Sequence, residues 1–402
     1  MDDRAASPGS WTTATGPATP ALLRTINDRS ALELLLDRGP QSRIDIGRLT
    51  GLSKPTASQM LARLEASGRV VRVGMSNGRP GPAAQLYDLN PVAGYAAAAD
   101  VTPTRATVVI ADLTGRVVGE SSVAMRRQPV KHPAERLAEA LHAAAHQAGI
   151  TGERVGALVI GLPGAFDESA GRLRYAAHMP GWHDKQLLAR LAESLQVPFR
   201  LENDVNLAAL AEQRSGAARG CPDFVHCWAG EGIGAAIMLD GRLRRGATGG
   251  AGEIGFMPVP GASLVRRVTR ANAGGFHELA GRETVMQLAR SCGVAGRTAE
   301  DVVAAAADEQ DADGGLLDQL ATRYATGLAS VVSVLDPPLV VLAGSVLRAG
   351  GEPLRARVAR ELSELAMVSP ALVVSTLEGS PVLVGAQCAA LDLVRDHVFS
   401  SG

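Results

Sequence analysis

Ala57, Met60, Leu61 and Leu64 recur at spacing i, i+3, i+4, i+7 directly behind Ser53 and Pro55. That spacing gathers the apolar groups into one stripe of a helix, and a strand, with its period of two, would scatter them over both faces. Ser53 can accept the orphan N–H groups of the first turn, and Pro55 is tolerated there because its missing N–H has no helical partner. Upstream, Leu32, Leu35 and Leu36 share a face of an earlier helix that ends near Gly39-Pro40. Ser42 with Asp45 has the form of a capping box, opening a short helix with Ile46 and Leu49 inside and Gly51 as its stop. After Gly68, Val70–Val73 alternates as a strand, Gly74–Pro82 is rich in turn residues, and a second strand spans Leu86–Leu89. Three helices and a β-hairpin within residues 21–90 describe a winged helix-turn-helix.

The side of the third helix away from its apolar stripe carries Lys54, Thr56, Ser58, Gln59 and Arg63, with Ser53 at its start. Such groups can reach phosphates and base edges when a recognition helix enters the major groove. Arg79, between Gly78 and Pro80 at the tip of the hairpin, is placed for a minor groove. Residues 21–90 hold ten basic and six acidic side chains, a net +4 in a chain whose formal charge is −1. Positive charge concentrated in one small module is the footprint of nucleic-acid binding. The expected partner is double-stranded DNA, read by a homodimer or higher homo-oligomer on a palindromic operator with half-sites about one helical turn, or a multiple, apart. The same three helices could instead serve protein contacts or dimerisation.

Composition excludes several other classes. The 402 residues are 46% apolar and 20% charged, an ordinary balance for a globular chain of two or three domains. No apolar run reaches the roughly 18 residues that a membrane helix needs. Residues 1–20 begin Met1-Asp2-Asp3-Arg4 and continue with Ser, Thr, Pro and Gly, without the apolar stretch of a signal peptide. A disordered tail and a cytoplasmic location are expected. Cys221, Cys227, Cys292 and Cys388 form no CxxC pair and no zinc spacing, and are expected to be reduced, buried thiols.

From Pro91 onward strands and helices alternate. Ala96–Asp100, Ala106–Leu113, a Thr114-Gly115 turn and Arg116–Glu120 have a counterpart in Phe224–Ala229, Gly234–Leu239, an Asp240-Gly241 turn and Arg242–Arg245. Two such units, each followed by helices and further strands, describe a duplicated α/β architecture with helices covering parallel or mixed sheets. Helices are predicted at Ala134–Ala148, Gln186–Leu195, Asn206–Ser215, Leu316–Leu335, Pro353–Ala366 and Val384–His397. Strands are predicted at Val155–Ile160, Phe199–Glu202, Leu339–Leu342 and Leu372–Val374. Within this region the run Gly249-Gly250-Ala251-Gly252-Glu253-Ile254-Gly255 lets backbone turn tightly beside a small ligand, and Glu253 can accept hydrogen bonds from hydroxyl groups. Phe256 then stands where a polar group or a metal ligand would continue such a pocket.

Six pieces of sequence occur in one order. They are Gly161-Leu162-Pro163-Gly164, His178-Met179-Pro180-Gly181-Trp182, Glu202-Asn203-Asp204-Val205-Asn206 and Gly230-Glu231-Gly232-Ile233-Gly234. Gly252-Glu253-Ile254-Gly255 follows, and then Leu335-Asp336-Pro337 with Leu342-Ala343-Gly344. Through them residues 21–402 resemble the ROK family (repressors, open reading frames and sugar kinases), in particular its xylose-repressor-like regulators. The resemblance implies an α/β chain with a winged helix-turn-helix at 21–90. Residues 91–402 would then form a two-lobed actin-like ATPase domain of ribonuclease H-like, sugar-kinase type. One lobe would take about 91–203 with the C-terminal helix 382–398, and the other about 204–381.

Roles follow from the same resemblance. In the family's enzymes an Asp in the place of Asp204 takes the proton from a sugar hydroxyl as it attacks the γ-phosphate. Asn203, Glu253 and Glu278 would meet neighbouring hydroxyls, Gly164 would bring backbone to the ring, and His178 would line the pocket where the enzymes often have Asn. Asn203-Asp204 also has the form of a helix N-cap.

The phosphate side departs from the family pattern. Asp-x-Gly-Gly-Thr reads Asp100-Val101-Thr102-Pro103-Thr104, Glu231 puts negative charge where a small hydroxyl residue is usual, and Ala343-Gly344-Ser345 thins a glycine-rich loop. The zinc set departs as well: Phe256 replaces a His, and Pro258 to Phe276 contains no cysteine. His277 alone cannot make a zinc site, and Val265, Val268 and Phe276 are expected to hold this loop by packing. The resulting expectation is no catalytic residue (Asp204 being a vestigial base), no metal and no cofactor. The expected function is a transcriptional regulator, a repressor of carbohydrate-related genes, that senses a sugar or sugar derivative. The alternatives are an active sugar kinase with an appended DNA-binding module and a regulator that has lost its ligand response.

Overall fold

A computed structural model describes residues 20–76, 83–125, 132–167, 172–174, 179, 181–182, 184, 186–264, 274–308 and 314–400. Arg79, His178, Val265 and Val268 lie outside the described residues, as do residues 1–19. The chain forms two compact units, Met1–Ala93 with Arg395–Gly402, and Gly94–Val394. The end of the C-terminal helix, expected to belong wholly with the first lobe of the larger domain, therefore counts with the N-terminal unit from Arg395 onward. No helix among the described residues is long and apolar enough to cross a membrane.

The N-terminal unit runs α1 (Pro20–Arg38), β1 (Gln41–Ser42), α2 (Arg43–Thr50), α3 (Lys54–Ala66), β2 (Val70–Met75) and β3 (Gln85–Leu89). Both predicted caps are present. The Ser42 hydroxyl accepts from the Asp45 N–H at 3.2 Å and donates to the Asp45 carboxylate at 2.7 Å. Ser53 accepts from the Thr56 N–H at 3.4 Å. Gly51 ends α2 in the left-handed region, at φ 71°. Leu32 and Leu35 of α1, Ile46 of α2 and all four apolar residues of the α3 stripe are buried together, closed by Val70 and Leu89. The hairpin carries a third strand that two residues could not announce by alternation: β1 pairs antiparallel with β3, giving the order β1-β3-β2. Arg63 of α3 reaches Asp28 of α1 at 2.7 Å.

The larger unit contains the duplication in full. First come β4 (Tyr95–Val101), β5 (Arg105–Asp112), β6 (Val117–Ala124), α4 (Pro133–Gln147), β7 (Val155–Leu162), β8 (Ala165–Asp167) and β9 (Arg172–Arg174). They continue with α5 (Leu187–Leu195), β10 (Phe199–Asn203) and α6 (Asp204–Ser215). The second half holds β11 (Phe224–Ala229), β12 (Ile233–Leu239), β13 (Arg242–Leu243), α7 (Gly275–Ala280), α8 (Arg282–Ser291) and α9 (Ala299–Asp308). It closes with α10 (Leu316–Leu335), β14 (Leu339–Ala343), α11 (Ser345–Leu365), β15 (Ala371–Val374) and α12 (Pro381–Ser400). One sheet has the order β10-β7-β4-β5-β6 and the other β13-β12-β11-β14-β15. In each, an antiparallel three-strand meander is followed by two strands laid parallel beside its first member. Parallel neighbours need a crossover, which α4 and α5 supply in the first sheet and α10 and α11 in the second.

Ala97, Ala99, Leu158 and Ile160 pack with Leu137 and Leu141 of α4 in one core. Val225, Val340 and Leu342 pack with Leu328, Val332 and Leu347 in the other. Phe276 lies fully buried, edge-on to Tyr324 at 6.4 Å, as its expected packing role requires. Helices α7, α8 and α9 add to the elements expected from the sequence; they are short, and only Gly281 separates α7 from α8. Helix α11 begins at Ser345, earlier than predicted, and bends at Gly351. Of the four thiols only Cys227 is buried; Cys221, Cys292 and Cys388 are half-buried, which corrects the expectation of a fully buried set.

Removing the Leu61 side chain is expected to destabilise the N-terminal unit by about 2–5 kcal/mol, because a cavity is left in a small core. Urea unfolding of Leu61→Ala should show that unit's transition at lower denaturant, with Gln59→Ala, two residues away on the exposed face, unchanged.

Candidate functional site

A cavity of about 770 Å³ opens in the larger unit. Its walls come from loops that leave the carboxyl ends of strands: Thr102 after β4, Gly164 after β7, Asp204 after β10, Gly230 after β11 and Ser345 after β14. Ligand sites of open α/β sheets form at such ends, where helix starts and turning backbone leave polar groups unpaired.

Asn203 and Asp204 stand at the junction of β10 and α6. The Asn203 side-chain oxygen caps α6 by accepting from the Asn206 N–H at 3.0 Å, as the cap reading expects. Its amide nitrogen donates to the Gly164 carbonyl and to Asp204, both at 3.1 Å. Asn203 is thus spent on holding Asp204 and the Gly164 loop in place. Burial pushes the Asp204 carboxyl up to about 6, and the nearby charge of Asp100 adds to the shift. Burial likewise pushes Glu253 up to about 7, with the charge of Asp204 as the second cause. Two half-buried acids whose proton affinities are raised by burial and by neighbouring carboxylates are good partners for ligand hydroxyls and poor neighbours for an anion. Gly252, at φ 92°, makes the turn that presents Glu253; a Cβ there would lie 2.0 Å from the Ala235 carbonyl.

Glu202, which the sequence shows only as a motif residue, braces this corner without lining the cavity. One carboxylate oxygen accepts from the Asn203 N–H at 3.0 Å and from the Asn206 side chain at 2.8 Å. The other pairs with Arg245 at 2.6 Å.

Phe256 is half-buried in the cavity wall and meets the His277 ring edge-on at 5.0 Å. His277 is buried, and its Nδ1 accepts from the Ile233 N–H at 3.2 Å. Burial lowers it to about 4, so it is a neutral, satisfied wall residue. The ring approaches so closely that a Cβ on Gly255 would lie 2.1 Å from its Nε2. Glu278, expected beside these groups, is placed elsewhere: it is exposed, accepts from the Ser263 hydroxyl at 3.0 Å, and does not line the cavity.

On the would-be phosphate side, the turn after β4 closes on itself. Thr102 N–H donates to the Arg105 carbonyl at 2.8 Å, Arg105 N–H donates to the Thr102 hydroxyl at 3.1 Å, and Pro103 has no N–H. Glu231 carries the expected negative charge, but Arg282 answers it at 3.2 Å and also pairs with Glu300 at 2.6 Å. Ser345 donates its hydroxyl to Glu300 as well. The loop is held by an ion network whose members are far apart in sequence.

In α3, the Ser53 and Thr56 hydroxyls bond to each other at 2.8 Å, and Ser58 donates to the Lys54 carbonyl at 2.9 Å. Lys54 and Gln59 are exposed, with no side-chain bond among the described residues. Arg63 differs from the expected phosphate or base contact: its guanidinium is committed to Asp28.

The ROK family model matches residues 96–392, and a winged helix-turn-helix DNA-binding model matches residues 24–71. The chain belongs to the ROK family. It is 24% identical over 335 residues to the xylose repressor of Caldicellulosiruptor bescii, covering 80% of this chain and 83% of that one. A solved ROK family transcriptional regulator, a homologue of the Escherichia coli MLC protein, superposes with a TM-score of 0.72 at 20% identity. That likeness covers 94% of this chain and 100% of the other. The ROK hexokinase of Thermus thermophilus superposes with a TM-score of 0.63 at 28% identity, over 75% of this chain and 99% of its own. Among ROK proteins this chain thus carries the actin-like sugar-kinase fold behind a winged helix-turn-helix.

The ROK cavity carries its own stability signature. Glu253 rises from an ordinary 4.5 to about 7, so the folded chain holds this proton more tightly than the unfolded chain does. Stability is therefore lost as pH rises through that window. Glu253→Gln is expected to raise the melting temperature near pH 8, and the gain should vanish near pH 4. An equal gain at both pH values would exclude charge as its cause.

Proposed function

We propose that this ROK protein is a DNA-binding repressor that senses a sugar or sugar derivative around Asp204 and does not phosphorylate it. The carrying observation is the split character of the cavity. Asp204 and Glu253 keep hydroxyl-accepting carboxylates together, held by Asn203 and Gly252, while the turn at Thr102–Arg105 has spent the Thr102 and Arg105 N–H groups internally and Pro103 has none to offer. Phosphoryl transfer depends on donors and cations aimed at the transferring group. A hydroxyl-reading half without a phosphate-cradling half suits recognition without turnover. The resemblance to a xylose repressor supports the same reading.

Sugar hydroxyls donate to Asp204 and Glu253, and the Gly164 loop lies against the ring, with His178 a further candidate contact from the sequence. Lys54 and Gln59 extend from α3 to DNA, with Ser53, Thr56 and Ser58 shaping the helix start and Arg79 on the wing. A dimer of such chains reads a two-fold operator. Sugar alters DNA affinity only through different affinities for the DNA-competent and DNA-incompetent states, and the coupling is reciprocal.

A mobility-shift assay on DNA upstream of the protein's own gene, repeated with pentoses, hexoses and their phosphates, tests the proposal. One sugar class is expected to change the shifted fraction, and Asp204→Ala and Glu253→Ala should abolish that change with sugar-free DNA affinity held within about twofold. Gln59→Ala is expected to cost about 1–3 kcal/mol of discrimination at one base pair. Sugar-dependent release of ADP from ATP would overturn the non-enzymatic half of the proposal. DNA binding indifferent to every sugar in the panel would overturn the sensing half.

A further inference from the structure

The larger unit holds a second cavity, of about 990 Å³, which shares only Asn203 and Gly249 with the first. Its size falls at the upper end of the roughly 300–1,000 Å³ typical of small-molecule sites. Two features set its chemistry. Phe166, Leu188, Phe199 and Leu210 line it and are only half-buried, so they keep apolar surface that the fold has not covered. Arg200 and Arg214 line it too, both exposed and neither in an ion pair or hydrogen bond among the described residues. Two carboxylates share the wall: Glu202 is already neutralised by Arg245, and Asp392 has a partner of its own, so three guanidinium groups face two carboxylates.

We propose that this cavity is a second binding site, for a small anion with an apolar body: a carboxylate or phosphoester on an aliphatic or aromatic frame. The apolar side chains take the body, because covering their exposed surface contributes roughly 25 cal/mol per Å². Arg200 and Arg214 take the anionic head, each able to offer a planar fork to carboxylate or phosphate oxygens. A sugar would leave the apolar walls uncovered, and a cation would face two unpaired guanidinium groups. The two cavities meet only at Asn203 and Gly249, and the proposal does not rest on sugar sensing.

The test uses the full chain and 1-anilinonaphthalene-8-sulfonate, an apolar fluorescent anion, with octanoate, octyl phosphate and octanol as competitors. The probe is expected to saturate at one site per chain and to be displaced by octanoate, octyl phosphate or both. Whichever of the two competes better identifies the head group. The double variant R200E/R214E should weaken probe binding about tenfold or more, and its exposed positions leave the fold intact by circular dichroism. A second variant, Leu210→Trp, fills the apolar wall and should also weaken the probe. Probe binding unchanged in R200E/R214E would place the dye elsewhere, on exposed Leu22, Leu23 and Ile26 of α1 for example, and overturn the proposal. Displacement by octanol as effective as by octanoate would overturn it too, since the arginines would then read no charge.

Discussion

Parallel pairing on both sides of β7 is the constraint on which the cavity rests. Gly161 lies opposite Asp100 of β4 on one side and opposite Glu202 of β10 on the other. Because the three strands run the same way in this register, their carboxyl ends meet at one edge, and Thr102, Gly164 and Asp204 emerge together. The second sheet repeats the device, with Cys227 of β11 opposite Leu342 of β14 and Leu342 opposite Val374 of β15. A slip of one residue in β10 would turn every side chain of that strand to the opposite face and undo the cap at Asn203. The frame is set by backbone pairing and buried Ala, Val and Leu, so residues at the loop ends can change without cost to it. One fold can in this way carry kinases and regulators.

The loop ends have diverged unevenly. Around Asp204 the hydrogen bonds of Asn203 tie β10, α6 and the Gly164 loop into one rigid corner, and Glu202 braces that corner from outside. Across the cavity, the Thr102 turn bonds to itself through Thr102 and Arg105, and Arg282 links Glu231 to Glu300, which the Ser345 hydroxyl also meets. The first corner keeps its carboxylates short of partners and open to a ligand. The second ties the Thr102 and Arg105 N–H groups and much of the Arg282 charge to neighbours within the protein.

Much of this was legible in the sequence, and the reasons are local. Caps at Ser42 and Ser53, the apolar stripe of α3 and the repeated strand-turn-strand units are signals carried by neighbours within about ten residues. The functional loops were legible because short motifs mark them. What could not be read depends on partners distant in sequence: Arg63 with Asp28, Arg245 with Glu202, and Arg282 with Glu231 and Glu300. Glu278 follows the family motif, yet its position in α7 turns it toward Ser263 instead of the cavity. Helices α7 to α9 were missed because broken segments of ten residues or fewer carry weak periodicity, and their stability comes from packing around Phe276 and Tyr324. His277 illustrates the same limit: the sequence excludes a zinc site for it, and only the Ile233 N–H, distant in sequence, shows what the ring does instead.

The pair between Arg63 and Asp28 has a consequence for how such a module can change over generations. It pins the far end of α3 to α1, while Met60, Leu61 and Leu64 lock the same helix into the core. Tilting or sliding α3 would break the ion pair and open the core at once. Side chains outside that frame, Lys54 and Gln59 among them, bear no such load. Under the DNA-reading role proposed for those positions, lineages carrying this module can drift toward new target sequences by single exchanges there, in small steps, with the angle of the helix inherited unchanged.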